Sequence, residues 1–304
     1  YYLTQFTPQQ QKKKVLLVVP TVGLVLQMRA DFISYGFPEE LMHCITSGVS
    51  KDDTKPVTIT TWQSVFRLHQ KWYDQFGVAL IDEAHLAKAQ SLTGMMTKMV
   101  NCEYRFGFTG SLDGTLTHAL VIQGLLGPIK RVATTKELIT QQHLANFRIK
   151  AIVLKYDEVT CKAVTSMSYA DEKDFIVRNE ARNRFIRNLA ISLKGNSLLL
   201  FQYVDKHGQM LYNALKEVVK DRPIFFIHGG VEGDERERVR GLIETHRDAI
   251  VVASVGVFST GVNIRNLHNV IFTSPSKSKI RTLQSIGRTL RLSENKDVAT
   301  LYDI

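Results

Sequence analysis

Short apolar runs alternate with amphipathic stretches along the first half of the chain. The apolar runs have the length of buried strands, and the amphipathic stretches have the three-to-four-residue spacing of helices. This pattern predicts strands at residues 15–19, 57–60, 78–81 and 104–108, and helices at 23–35 and 91–100. A repeated strand-then-helix order is typical of a mostly parallel sheet with helices on both faces.

The same pattern restarts near residue 146. It predicts a strand at 148–155, a long charged helix at 171–193, and strands at 197–201, 223–227, 249–253 and 270–273. We therefore predict an α/β protein with two doubly wound parallel-sheet domains in tandem, residues 1–145 and 146–304. Because the chain opens without Met and ends inside the apolar run 299–304, we interpret it as a fragment of a longer protein.

Composition narrows the partners. The chain has 39 Lys and Arg against 29 Asp and Glu, a net charge of +10 that favours a polyanion, and nucleic acid before membrane because no long apolar segment is present. Cys44, Cys102 and Cys161 are far apart and form no CxxC pair, so neither a zinc site nor a disulfide framework is indicated. This cysteine usage predicts a reducing, cytoplasmic compartment.

Two adjacent carboxylates, Asp82 and Glu83, follow the predicted strand 78–81 directly. In open parallel sheets, ligands bind beyond the carboxyl ends of the strands, where a buried strand ending in acid needs a positive partner. A Mg²⁺ ion bound to nucleotide phosphates fits: Asp82 can hold it directly or through water, and Glu83 can polarise the water that attacks a γ-phosphate. The alternative is a solvated acidic turn.

A second candidate lies near the end of the chain, at residues 284–291. If this stretch is a helix, Gln284, Arg288 and Arg291 share one face, since they stand at i, i+4 and i+7. Guanidinium groups match phosphate oxygens, and an arginine supplied across a cleft assists phosphoryl transfer. The alternative is a basic, solvated helix face.

With these residues in this order, the chain resembles the superfamily 2 helicases, whose motors have two RecA-like domains. Asp82-Glu83-Ala84-His85 resembles motif II of that family, and residues 284–291 resemble motif VI. Other segments resemble further motifs in the family's order: Val18-Val19-Pro20-Thr21 (Ia), Thr60-Thr61-Trp62-Gln63 (near Ib), Thr109-Gly110-Ser111 (III), 197–201 (IV) and Ser259-Thr260-Gly261-Val262-Asn263 (V). The resemblance extends over essentially the whole chain.

The resemblance implies a role for each matching residue. Asp82 would hold Mg²⁺, Glu83 would activate water, and His85 would couple the ATP site to the second domain. Gln284, Arg288 and Arg291 would sense and reach the γ-phosphate. The coupling between nucleotide and nucleic acid would involve Thr109, Gly110, Ser111, Gly261 and Asn263.

The same resemblance places Pro20, Thr21, Thr61 and Trp62 on a DNA track. Hydroxyl and backbone N–H groups at strand-to-helix turns bind phosphates without reading bases, which suits a motor that moves along any sequence. Trp62 has two interpretations, base stacking or a core anchor. Two interpretations also remain open for His228-Gly229-Gly230, a phosphate-contacting loop or a simple turn. The basic residues at 12–14, 178, 182 and 187 are interpreted as solvated faces, with phosphate contact as the alternative.

Two features depart from the family pattern. Asn263 stands where motif V often has Asp, which puts any carboxylate role there in doubt. The chain also contains no G-x-x-x-x-G-K-[ST], the loop that cradles nucleotide phosphates. Since that loop precedes motif Ia in the family, we expect it upstream of Tyr1.

The resemblance implies an ATP-dependent DNA helicase or translocase that uses Mg²⁺ and acts on branched DNA in recombination and repair. It would be monomeric, with recombination or replication proteins as further partners. Two alternatives remain: an RNA helicase, and a catalytically dead nucleic-acid-binding scaffold. The spelling Gly287-Arg-Thr-Leu-Arg291 is more like DNA motors than the Gly-Arg-x-Gly-Arg of the related RNA helicases.

Overall fold

The protein is described by a computed structural model that covers residues 14–88, 90–110, 112, 116–231, 233–260, 264–276, 282, 285–287, 289–293 and 296–304. Its contacts divide the chain into two compact units, Tyr1–Arg131 and Val132–Ile304. The sequence places the boundary further along, between residues 145 and 146, where the first strand of the second unit begins.

The first unit has five strands and five helices among its described residues. The strands are β1 Lys14–Val19, β2 Met42–Cys44, β3 Val57–Thr61, β4 Phe76–Ile81 and β5 Tyr104–Gly107. The helices are α1 Val22–Ser34, α2 Trp62–Val65, α3 Gln70–Tyr73, α4 Gln90–Lys98 and α5 Leu116–Leu126, with 3₁₀ segments at Glu39–Leu41 and Ala84–Lys88.

All five strands of this unit pair in parallel, in the order β2-β3-β1-β4-β5. Side chains alternate between the two faces: Leu16 and Val18 enter one hydrophobic core, whereas Leu17 and Val19 enter another. Because both faces are covered, the strands are continuous apolar runs. The four predicted strands are confirmed to within two residues. The short strand β2 was not predicted from the sequence, because three residues are too few to show a periodic pattern.

The second unit has six strands and seven helices among its described residues. The strands are β6 Asn146–Ala151, β7 Ser197–Phe201, β8 Ile224–Ile227, β9 Ile250–Ser254, β10 Asn269–Phe272 and β11 Val298–Asp303. The helices are α6 Thr135–Thr140, α7 Glu158–Val164, α8 Tyr169–Arg178, α9 Glu180–Ser192, α10 Gln209–Val218, α11 Gly233–Thr245 and α12 Val255–Thr260, with a π-helical turn at Val204–Gly208.

The second sheet is also entirely parallel, in the order β6-β11-β10-β7-β9-β8. Leu198 and Leu200 of β7 face one core, and Leu199 and Phe201 face the other. The apolar run near the end of the chain is an interior strand, β11, between β6 and β10. The predicted class, two doubly wound α/β domains in tandem, is confirmed. Within the described part of the chain, no helix is long and apolar enough to cross a membrane.

The predicted helix at 171–193 is wrong as a single element, because the chain breaks it at Asn179. This residue has an extended backbone (φ −62°, ψ 112°), and its side chain accepts a hydrogen bond from Arg182 N at 2.9 Å. Asparagine is a strong helix N-cap, so it begins α9 instead of continuing α8. A further helix, α7, precedes both.

The sequence predicts that Arg182 lies on a solvated face. This prediction is wrong, because the residue is buried. Its side chain is 4% exposed, and its guanidinium donates to Thr273 O at 2.7 Å and to Ile304 O at 2.8 Å. These carbonyls follow the ends of β10 and β11, so one planar cation satisfies the last acceptors of two neighbouring strands. Burial lowers the pKa of Arg182. Arg178, in contrast, is exposed and pairs with Asp174 at 2.7 Å.

His207 lies in the π-helical turn that follows β7, and it is fully buried. Its Nδ1 lies 3.1 Å from Ser274 Oγ and its Nε2 lies 3.2 Å from Asn183 Oδ1, so it joins the turn to the loop after β10 and to α9. Burial first, and the Arg182 charge second, lower the pKa of His207 from 6.5 to about 4. The imidazole is therefore neutral in the folded protein at neutral pH.

This neutral histidine makes the stability depend on pH. Between pH 6.5 and about 4 the unfolded chain binds the proton and the folded chain does not, so the stabilising contribution is complete above pH 6.5 and is lost as the pH falls. From pH 7 to pH 5 we expect His207 to account for about 2 kcal/mol of lost unfolding free energy. His207→Gln should reduce the pH dependence of urea unfolding, whereas exposed His143→Gln should not; equal pH dependence in wild type and His207→Gln would contradict this.

Candidate active site

Four of the predicted motif segments meet at one edge of the first sheet. Strands β3, β1, β4 and β5 are neighbours and run in parallel, so the turns that follow them lie side by side. Backbone hydrogen bonds tie these turns to the adjacent strands: Asp82 N donates to Val18 O at 2.9 Å, and Phe108 N donates to Ile81 O at 2.8 Å. Ala84 N then donates to Phe108 O at 2.9 Å. The motif II turn is therefore held from both sides.

The acidic turn has a constrained backbone. Glu83 has φ +50°, the left-handed region that costs an ordinary residue roughly 1 kcal/mol, and strain of this kind is concentrated at functional sites. The Asp82 carboxylate accepts a hydrogen bond from Glu83 N at 2.9 Å, which supports the turn. Both carboxylates are half-buried at the sheet edge. The chain thus ends β4 abruptly and begins the 3₁₀ segment Ala84–Lys88.

Close packing on β5 fixes the distance between this turn and its neighbour. A Cβ atom at Gly107 would lie 2.8 Å from Ala84 Cβ and 2.5 Å from Leu126 Cδ1, closer than real contacts allow. Glycine therefore permits motif II to approach the end of β5.

His85 connects motif II to motif III. Its ring is 6% exposed, and Nδ1 lies 3.0 Å from Glu83 Oε2 and 2.9 Å from Thr109 Oγ1. A protonated Nδ1 donates to the Glu83 carboxylate, whereas an unprotonated Nδ1 accepts from the Thr109 hydroxyl. One nitrogen is thus shared by the two motifs, so the ring of His85 connects Glu83 to Thr109. This contact lies within the first unit.

The donor set at the sheet edge fits a phosphate-bound metal ion. Mg²⁺ is commonly held by one or two protein carboxylates together with substrate phosphates, instead of by an all-protein cage. Among the described residues no group of three or more His, Cys, Asp or Glu could hold a metal by itself. Asp82, with its carboxylate at the strand end, supplies the kind of single ligand that such a site uses.

The predicted DNA-track residues lie at the same edge but differ in exposure. Thr21 and Thr61 are helix N-caps: Thr21 Oγ1 accepts from Leu24 N at 3.3 Å, and Thr61 Oγ1 accepts from Ser64 N at 3.3 Å. Pro20 is half-buried, and its carbonyl accepts from Gln63 Nε2 at 3.4 Å. Trp62 is 5% exposed and packs in the core, which favours the core-anchor interpretation over base stacking.

The segment His228-Gly229-Gly230 forms a turn after β8. Gly230 N donates to His228 Nδ1 at 3.2 Å, and Val231 N donates to His228 O at 3.1 Å. Both glycines are exposed. A contact with phosphate stays open, as it was from the sequence.

Several of the predicted site residues lie outside the described residues: Ser111, Gly261, Asn263, Gln284 and Arg288. The neighbours of the last two are helical, since Leu290 N donates to Ile286 O at 3.1 Å and Thr289 Oγ1 donates to Ser285 O at 2.9 Å. Ser285, Thr289 and Leu290 are buried on the core side of this helix, and Arg291 is half-buried.

The buried polar groups at the carboxyl edge of the second sheet were not predicted from the sequence. Arg182 donates there to two backbone carbonyls, and His207 is hydrogen-bonded to Ser274, the residue after one of them. Nothing in the local sequence marks them, because a lone Arg on a charged helix is normally solvated.

Two parallel α/β units in tandem, the first with an acidic turn at its carboxyl edge, define the RecA-like helicase class. The model of the type III restriction enzyme res subunit matches residues 2–113, and the model of the helicase conserved C-terminal domain matches residues 180–293. The chain belongs to superfamily 2 of the helicases.

Individual proteins agree with this assignment. The chain is 34% identical over its whole length to the ATP-dependent DNA helicase uvsW of Enterobacteria phage T4, and it spans 61% of that protein. It is 20% identical over 94% of its length to the DNA 3'-5' translocase XPB2 of Sulfurisphaera tokodaii, of which it spans 71%. A putative HsdR fragment of a type I restriction enzyme from Vibrio vulnificus matches 96% of the chain with a TM-score of 0.70, at 17% identity and over 52% of that structure, which shows the fold alone.

The shared nitrogen of His85 can be tested with a double-mutant cycle in the full-length protein. His85→Ala and Thr109→Val should each lower the DNA-stimulated ATPase kcat by about tenfold, and the double variant should be no slower than the slower single one, because both remove one connection. His69→Ala, an exposed histidine of the same unit, is the control and should leave kcat within about twofold. Additive losses in the double variant would mean that the two residues act independently.

Proposed function

We propose that this chain is the motor of an ATP-dependent DNA helicase or translocase that acts on branched DNA in recombination and repair. The observation that carries the proposal is the acidic turn Asp82-Glu83 at the carboxyl edge of a parallel sheet, bonded through His85 to Thr109. Family membership and the printed activities of the phage and archaeal relatives support it.

In this proposal each residue acts where the fold holds it. Asp82 would hold a Mg²⁺ ion, which supplies charge neutralisation on the nucleotide phosphates. Glu83 orients and polarises the attacking water, and its strained backbone fixes the direction of the carboxylate. His85 passes the state of Glu83 to Thr109 and Gly110, at the turn next to the DNA track.

In this proposal the second unit contributes the arginines of the sequence segment 284–291. Arg288 and Arg291 reach the γ-phosphate and Gln284 senses it, while Ser111, Gly261 and Asn263 take part in coupling to DNA. Charge on the transferring phosphate grows in the transition state, so a guanidinium placed there accelerates hydrolysis. Ala145 N donates to Leu290 O at 2.8 Å, which ties this segment to its own unit.

DNA contacts are proposed at the first-sheet edge through Pro20 and Thr21, whose α1 begins there and presents backbone N–H groups. Thr61 contributes the adjoining turn. The buried Trp62 supports that turn from the core. A net charge of +10 favours such a polyanionic partner.

The substrate is tested with the full-length protein. Strand displacement and branch migration are compared on forks, Holliday junctions, R-loops and RNA duplexes at equal salt. Activity on the branched DNA species is expected. Preference for RNA duplexes would overturn the DNA assignment, and binding without any ATP hydrolysis would favour the scaffold.

Glu83→Gln tests the assignment of the base. The amide keeps the shape of the carboxylate but cannot polarise water, so kcat for ATP hydrolysis should fall by about a hundredfold or more while ATP binding and DNA affinity stay near wild type. Glu40→Gln, an exposed carboxylate in the same unit, is the control and should have no effect. Near-normal turnover by Glu83→Gln would remove Glu83 from the mechanism.

A further inference from the structure

Lys296 is a buried lysine in the second unit. It is 2% exposed, and its ammonium donates to Arg265 O at 2.6 Å and to Thr289 O at 2.9 Å. A charged ammonium is costly to bury, and these two short, charge-assisted hydrogen bonds offset part of that cost. A methionine of similar length would avoid the cost altogether, so stability alone does not require a cation here.

The two acceptors belong to separate segments. Thr289 belongs to the same helix as residues 285–287, which we call the arginine helix because the predicted phosphate-sensing residues Arg288 and Arg291 lie in this stretch of the sequence. Arg265 is two residues after Asn263, at the end of the predicted coupling segment. Lys296 thus joins the carboxyl-terminal end of the arginine helix to the segment that follows motif V, and a cation there also complements the helix dipole.

Neighbouring charges keep the ammonium in place. Glu244 of α11 accepts a hydrogen bond from Arg265 N at 2.5 Å, and its charge favours the protonated lysine. Burial is the larger influence and lowers the pKa of Lys296 to about 8. The ammonium is therefore mostly charged at neutral pH, and the link weakens as the pH rises through that value.

We propose that Lys296 is a positioning residue for ATP hydrolysis: its ammonium locks the arginine helix to the segment after Asn263, so that the two motifs move as one body. This rests on the proposed function, because the consequence of the lock is correct placement of Arg288 and Arg291 at the γ-phosphate. Lys296 does not contact the reacting atoms.

Lys296→Met in the full-length protein tests the lock, with Thr289→Val as the matched control. Both remove a buried polar group at one place, but Thr289→Val loses only the hydroxyl bond to Ser285 O and keeps the carbonyl that Lys296 holds. We expect DNA-stimulated kcat to fall at least tenfold in Lys296→Met, with the KM for ATP and the Kd for DNA changed less than about threefold. Thr289→Val should stay within twofold in kcat. Wild-type kcat in folded Lys296→Met would overturn the proposal.

A pH profile separates positioning from structural support. Lys296→Arg keeps its charge at all accessible pH values, so the alkaline loss of kcat that we expect in wild type near pH 8 should move to higher pH in this variant. An unchanged alkaline limb would overturn the proposal. The pH profile of Lys296→Arg also tests the proposal if Lys296→Met does not fold.

Amide hydrogen exchange gives a readout that does not depend on activity. Peptides covering residues 264–268 and 285–293 should exchange at least tenfold faster in Lys296→Met than in Thr289→Val. If the wild-type protein lacks ATPase activity, the proposed function is wrong. The exchange result still tests whether Lys296 links the two segments. Equal exchange in the two variants would mean that no lock exists.

Discussion

Parallel pairing of buried strands is the constraint on which the candidate site depends. Since β3, β1, β4 and β5 run side by side in one direction, the residues that follow them must emerge at one edge, whatever their distance in sequence. The hydrogen bonds of Asp82 N to β1 and of Phe108 N to β4 then fix the position of each turn relative to the neighbouring strand. The chemistry at Asp82 and Glu83 is therefore positioned by backbone pairing before any side chain contributes.

In the second unit, a further constraint is the hydrogen bonding of backbone groups at the ends of strands and helices. Buried carbonyls at such ends need donors, and here cations provide them: Arg182 serves the ends of β10 and β11, and Lys296 serves the arginine helix and the loop after α12. His207 adds a neutral link between the π-helical turn and α9. Polar groups within the core thus fix the relative positions of elements that apolar packing alone would hold less specifically.

How far the sequence predicts this molecule follows from the range of each interaction. Apolar runs buried on both faces report β1, β3, β4 and β7 locally, and the spelling of motif II reports the acidic turn. The break at Asn179 competes with a helical pattern that looks continuous, and three residues of β2 are too few to show a period. The partners of Arg182 lie 91 and 122 residues away, so no local window contains them. Roles at Gln284 and Arg288 stay predictions.

The left-handed backbone at Glu83 has a consequence for evolution of the site. Glycine adopts that conformation without strain, so Glu83→Gly would relieve the turn locally while deleting the carboxylate. Relief of backbone strain therefore favours glycine at this position, whereas the proposed chemistry requires the carboxylate. A relative that no longer hydrolyses ATP could accept glycine there. The residue at position 83 would then distinguish active motors from inactive ones.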